Sequence, residues 1–304
     1  EALVGDGVAG FILFGGTVEA AHALSSHLRS VSDRPLLFGA DLERGAGQQF
    51  AGATSLPPLG ALGSLDDLEA TRRAGEITAH DARALGVDLV FAPVADVAAE
   101  PDNPIVGPRA FSGDPEHAAR HVRAWVEGAR AGGAHPCVKH FPGHGRTVGD
   151  SHVGSVRIDA DRTTLLHDLE PTRAALAAGV PMVMPGHLQA PALDPEGRIA
   201  TVSPPMLQGL LRDELGFDGV VVSDALLMGG AGELRETAVA ALLAGVDLLL
   251  YPEDPEVAIS ALVEAAEDDA AVLERLREAG ERVGALASAA PESDTSESGI
   301  SEEG

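Results

Sequence analysis

The chain has 304 residues, 45% of them hydrophobic, and carries 47 Asp and Glu against 21 Lys and Arg, for a formal charge of −26. Such acidity excludes nucleic acid and anionic membrane surfaces as partners, because both attract clustered Lys and Arg. The length and apolar content suffice for one globular domain of barrel size, expected over residues 1–290, with no second fold required.

Short apolar runs recur along the chain with helical stretches between them. Gly10 to Phe14 and Pro35 to Ala40 come first, then the amphipathic stretch Leu65 to Leu85 and the run Asp88 to Val94. Pro115 to Ala131 reads as a helix and Pro136 to Phe141 as a strand. Asp161 to Ala178 is helical in pattern, followed by the strand Val180 to Met184. The helix Pro204 to Leu215, the strand Gly219 to Val222, the helix Glu233 to Ala244 and the strand Asp247 to Leu250 complete the series. Alternating β and α elements imply parallel strands joined by helical crossovers. Residues 291–304, PESDTSESGISEEG, hold one Ile among Ser, Glu and Gly, and this acidic tail is expected to be disordered.

A polar residue ends or follows most of the apolar runs: Asp41, Asp96, Lys139 with His140, His187 and Asp224. In a (β/α)8 TIM-type barrel the C-terminal strand ends form the catalytic face, whereas a doubly wound sheet gathers such groups at one switch point. The spread over five strand ends favours the barrel. Seven strands are visible and the chain begins close to the first of them, so the barrel's own first strand is expected upstream of Glu1.

Chemistry concentrates in Lys139-His140-Phe141-Pro142-Gly143-His144-Gly145 and the following Asp150-Ser151-His152. Lys139 is the only lysine, and it closes an apolar run instead of lying on a solvated helix face. Asp150 and His152 are two apart, so in extended backbone the carboxylate can orient the imidazole as a proton-transfer dyad. Val220-Val221-Val222-Ser223-Asp224 is a β-branched run ending in a candidate nucleophile. Arg109, Lys139 and His140 suit polyhydroxyl or carboxylate ligands, and Asp41 and Asp96 would accept hydrogen bonds from sugar hydroxyls. For each a structural role is the alternative: a solvated loop charge for Arg109, a buried ion pair for Lys139, a cap or turn for the aspartates.

Taken in order, these pieces resemble glycoside hydrolase family 3, particularly its single-domain β-N-acetylhexosaminidases. The likeness runs from Gly10 to Pro252 through GFILF at Gly10 to Phe14, Asp41-Leu42-Glu43-Arg44-Gly45, FAPVADV at Phe91 to Val97 and NPIVGPRAF at Asn103 to Phe111. It continues through KHFPGHG with Asp150-Ser151-His152 and ends in ELGFDGVVVSDALLM at Glu214 to Met228. The resemblance implies retaining hydrolysis of terminal β-linked N-acetylglucosamine in a small or oligosaccharide substrate, without metal or cofactor. Asp224 would be the nucleophile, His152 the acid/base, Asp150 its orienting group, and Asp41, Arg109, Lys139 and His140 the sugar contacts. Gln49 and Ala46 stand where arginines are frequent in these relatives, and Ala225 where a second Asp is frequent.

Within the family, β-glucosidase or phosphorylase activity is the nearest alternative. From other classes come a non-catalytic sugar-binding protein and a metal-dependent barrel hydrolase drawing on His140, His144, His152, His187 and Asp224. Cys137 stands alone, so no intramolecular disulfide forms and the redox compartment is open. No run is long and apolar enough for a membrane span. The first residue is Glu1, which leaves both the cytoplasm and export after removal of a leader compatible with the sequence.

Overall fold

The computed structural model describes residues 1–147, 149, 154 and 156–289. Asp150 and His152 lie outside the described residues, as do residues 291–304. After a short helix α1 (Ala2–Asp6), strand β1 (Gly10–Ile12) leads through α2 (Val18–Ser30) to β2 (Leu37–Ala40). Helices α3 (Leu59–Leu65) and α4 (Leu68–Ala84) precede β3 (Leu89–Val90), and α5 (Pro115–Ala131) precedes β4 (His135–Phe141). A two-residue strand β5 (Val156–Arg157), α6 (Arg162–His167) and α7 (Glu170–Ala177) lead to β6 (Met182–Pro185) and β7 (Leu188–Gln189). A wide helical stretch Pro205–Glu214 and β8 (Val220–Val221) follow, then α8 (Leu234–Ala244), α9 (Pro255–Asp268) and α10 (Ala270–Ala289).

Among the described residues six strands form one sheet in the order β1-β2-β3-β4-β6-β8, every pair parallel. A parallel bridge between Val222 and Leu248 adds a seventh strand position beside β8. The two-residue alternation of a strand divides its side chains between two environments. Phe38, Val90, Val138, Val183 and Val221 face the main core, which also holds Trp125 and Val126 of α5 and Leu210 and Leu211 of the wide helix. Leu37, Leu89, Cys137, Met182 and Val220, each one residue away, meet in a second cluster. Ile12 at one edge and Leu248 and Leu250 at the other pack on this same inner cluster, as does Leu286 of α10. Strands at opposite ends of the order can share one cluster only if the sheet curls round it.

The fold is therefore α/β with a curled parallel sheet. Among the described residues β1 and the 247–250 edge share no backbone hydrogen bond, and an apolar groove of about 520 Å³ lies between them, lined by residues such as Phe11, Leu37 and Leu249. Against the N-terminal strand ends sit buried carboxylates with arginine partners: Asp88 accepts from Arg29 (2.6 Å), and Asp247 from Arg212 (2.8 Å). The opposite, C-terminal ends carry the candidate site.

Candidate active site

Asp41 follows β2 directly, and Glu43 lies two residues on, a spacing that lets both carboxylates reach the same lysine. The Lys139 ammonium, buried near the end of β4, donates to Asp41 Oδ1 (2.7 Å) and sits 2.8 Å from Glu43 Oε1. Arg109, on a one-turn 3₁₀ segment Gly107–Arg109, forks onto Glu43 with Nε at 2.9 Å and Nη2 at 2.7 Å. Burial alone would raise the Glu43 pKa, but Lys139 and Arg109 outweigh it and hold the carboxylate far below its usual range. Burial likewise opposes the charge on Lys139, and Asp41 and Glu43 more than compensate, pushing its pKa above that of an ordinary lysine. Two cations and two carboxylates thus fix one another in a bidentate, charge-assisted array.

The strand register shifts between Lys139 and Phe141, which helps consecutive Lys139 and His140 both to line the cavity. His140 Nδ1 donates to Asp96 Oδ2 (2.8 Å), leaving Nε2 as the ring nitrogen for a ligand. Asp96 Oδ1 also accepts from the His144 backbone amide (2.6 Å). Burial works to raise the Asp96 pKa, yet His140, His144 and these hydrogen bonds bring it down to about 2. Asp96 is thus a buried anchor for the histidine loop and does not line the cavity. His144 lies edge-on to His140, and burial lowers its pKa to about 4, so the ring is neutral near pH 7.

Asp224 follows Ser223 after β8 and is half-buried. Its Oδ1 accepts from the Ala225 amide (2.8 Å). Burial opposes its charge, but His140, His187, the Ala225 amide and Lys139 together keep the pKa below the ordinary aspartate value, so it is ionised at neutral pH. Asp41, Arg109, Lys139, His140 and Asp224 line a single cavity of about 600 Å³ together with Glu43, His144 and Gln49. The rim carries Phe14 and Tyr251, exposed rings with centroids 5.2 Å apart.

The sequence-expected dyad Asp150 and His152 lies outside the described residues. Neither Glu43 nor Asn103 is among the residues expected from sequence to form the site. The Asp-x-Glu spacing after β2 was the available signal for Glu43. Buried Asn103 had none: its amide donates to the His144 and Thr147 carbonyls (both 2.8 Å) and its carbonyl accepts from the Ile105 and Val106 amides, tying the Arg109 loop to the histidine loop. Of the metal-ligand candidates, His187 uses both ring nitrogens, on Thr201 Oγ1 (2.8 Å) and the Ala225 carbonyl (3.1 Å). His140 uses one on Asp96. His187 therefore offers no ring nitrogen to an ion, whereas His140 keeps Nε2 directed to the cavity.

The family model described as glycosyl hydrolase family 3 N terminal domain matches residues 1–286. A beta-hexosaminidase from Thiobacillus denitrificans is 40% identical over 250 residues, covering 78% of this chain and 68% of that protein. A solved glycoside hydrolase family 3 beta-N-acetylglucosaminidase from Paenibacillus sp. superposes with a TM-score of 0.87 at 36% identity, over 92% of this chain and 56% of that one. A beta-glucoside phosphorylase gives a TM-score of 0.88 at 25% identity over 92% of this chain and 53% of its own. The chain thus spans little more than half the length of these two solved proteins. With its curled parallel sheet, its charged strand ends and a family match over nearly its whole described length, the chain belongs to glycoside hydrolase family 3, as the N-terminal domain of that family.

Proposed function

We propose that this protein is a retaining glycoside hydrolase that removes terminal β-linked N-acetylglucosamine, working in the cavity at the C-terminal ends of a (β/α)8-type barrel of which the curled sheet is the greater part. The observation that carries the reading is the ionised, half-buried Asp224 sharing one cavity with the Asp41–Lys139–Glu43–Arg109 array. The preference for an N-acetylated sugar is supported by the names of the relatives, beta-hexosaminidase and beta-N-acetylglucosaminidase.

In this mechanism an Asp224 carboxylate oxygen attacks the anomeric carbon as the bond to the leaving oxygen breaks. The leaving oxygen takes a proton from His152, whose ring Asp150 orients. A glycosyl ester on Asp224 results. Water, deprotonated by His152, then attacks the anomeric carbon and releases the sugar with its original configuration. Lys139 has three N–H donors and commits two to Asp41 and Glu43, leaving one for a sugar hydroxyl. Fixing these cations before substrate arrives reduces the ordering cost at the reacting centre.

The test is hydrolysis of a chromogenic N-acetyl-β-glucosaminide beside the matching β-glucoside, with Asp224→Ala and His152→Ala as controls. Preferential turnover of the N-acetyl sugar, lost in both variants, supports the reading. Equal or better turnover of the glucoside contradicts the sugar assignment. The structural likeness to a beta-glucoside phosphorylase supports a second acceptor: release of sugar phosphate that requires added phosphate would identify it.

A further inference from the structure

Away from the cavity, the C-terminus of α3 faces the first turns of α5. His117 and His121 are four apart on α5, so they share a face, and their rings stack with centroids 4.9 Å apart at 13°. Asp66, the left-handed residue that ends α3 at φ 52°, turns its carboxylate toward both: Oδ1 is 3.5 Å from His117 Nε2 and 3.5 Å from His121 Nε2. One donor atom from each of the three residues falls within 4.8 Å of the others.

The setting of His121 makes this more than a loose cluster. Its side chain is fully buried, with Phe111 stacked on it at 5.4 Å. Nδ1 lies 2.8 Å from Thr71 Oγ1, and that hydroxyl gives its own proton to the Asp67 carbonyl (3.1 Å). That contact engages Nδ1 and leaves Nε2 as the ring nitrogen that faces Asp66. Nε2 makes no hydrogen bond, and its nearest charged neighbour is a carboxylate oxygen. Nε2 and the carboxylate oxygen face each other at 3.5 Å, an arrangement that a cation between them would satisfy. A hydrogen bond on the other ring nitrogen is also the usual support behind a metal-ligating imidazole.

We propose that Asp66, His117 and His121 form a divalent transition-metal site, with zinc the ion best suited to two imidazoles, one carboxylate and an open fourth position. His117 Nε2 rests 3.1 Å from the Gly63 carbonyl and would exchange that bond for the metal. Arg120, 3.9 Å from Asp66 and half-exposed, is the one cation beside the carboxylate among the described residues and is free to turn into solvent. The bound ion would tie α3 to α5 across Phe111, at the end of the loop that carries Arg109. It would act as a clamp on that loop and take no part in the reaction.

The test uses the full chain, freed of metal by chelator and titrated with Co²⁺ as a visible-absorbing probe, with thermal unfolding followed alongside. The expected result is one equivalent bound at this site, displaced by Zn²⁺, with a rise in Tm. Asp66→Asn, which keeps a residue tolerant of the left-handed conformation, and His117→Ala are each expected to abolish that equivalent while remaining folded by circular dichroism. Thr71→Val is expected to weaken it by about 10–100-fold. His152→Ala separates this site from the catalytic loop and should leave the absorption unchanged. Absence of saturable binding, survival of the band in both Asp66→Asn and His117→Ala, or its loss in His152→Ala would each overturn the proposal.

Discussion

The Lys139 ammonium closes an otherwise apolar strand and is held between Asp41 and Glu43. Removing a buried charge's partner costs more than the pair contributes, because the remaining charge stays desolvated. Lys139→Met is therefore expected to destabilise the protein by about 3–5 kcal/mol, measured by urea unfolding, and to raise KM. Adding Glu43→Gln should recover part of the stability without restoring KM; a further loss in the double variant would contradict the pairing. His144 makes a different statement. Its folded pKa of about 4 lies below the ordinary 6.5, so the unfolded chain binds a proton that the folded chain does not. Stability from this group is full above pH 6.5 and is lost as pH falls toward 4, by an amount on the order of 3 kcal/mol. Unfolding free energies between pH 7 and 4.5 should fall more steeply for the parent than for His144→Gln, and parallel curves would refute this assignment.

At the scale of elements, α4 and α5 approach through glycines. A Cβ on Gly128 would stand 1.8 Å from the Arg72 carbonyl, and one on Gly75 2.2 Å from that of Trp125. Gly128→Ala should accordingly cost about 1–3 kcal/mol by overpacking. Gly280, inside α10 with nothing within 4 Å, should behave oppositely: Gly280→Ala is expected to stabilise by about 0.5–1 kcal/mol. Paired thermal melts check both, and stabilisation by both would show that the helices do not touch there. These elements differ in how far the sequence exposes them. The α5 bounds agree with the expected Pro115 to Ala131 because Asp114 caps the helix through the His117 amide and Pro115 opens it. The expected helix Leu65 to Leu85 begins three residues later, at Leu68, since Leu65 ends α3, Asp66 takes a left-handed turn and Asp67 caps the new start. Asp161 to Ala178, by contrast, divides in two at Asp168 and Leu169. Helix α2 escapes the pattern because its buried positions, Ala21, Ser25 and Leu28, include a serine.

At the scale of the molecule, charge is distributed by strand polarity. The C-terminal ends carry the cavity, while the N-terminal ends hold Asp88 and Asp247 in arginine clusters. Asp247 gathers Arg212, Arg275 and Arg282, joining the wide helix and α10, and it also accepts from the Val221 amide of β8 (2.9 Å). Asp247→Ala should strip three partly or fully buried cations of their common partner and lower stability by about 3–5 kcal/mol with little change in KM. A shift in KM without loss of stability would count against a purely architectural role. The parallel α/β plan and the siting of polar groups at strand ends were legible in the sequence, because apolar runs and the residues that follow them are local signals. The roles of Glu43, Asp96 and Asn103 were not, since each is defined by partners 41 to 96 residues away. The Asp66–His117–His121 cluster is hidden for the same reason.

The central claim is that Asp224 forms a covalent bond to the sugar, and peptide mass mapping tests it most directly. The protein would be quenched during turnover of an activated N-acetyl-β-glucosaminide, digested and searched for a sugar adduct. The account predicts one adduct, on the peptide containing Asp224, absent in Asp224→Ala, with the first-formed free sugar retaining the β configuration. Retention without any protein adduct would point to the substrate's own acetamido oxygen as nucleophile, and inversion would rule out a covalent intermediate; either result contradicts the role assigned to Asp224.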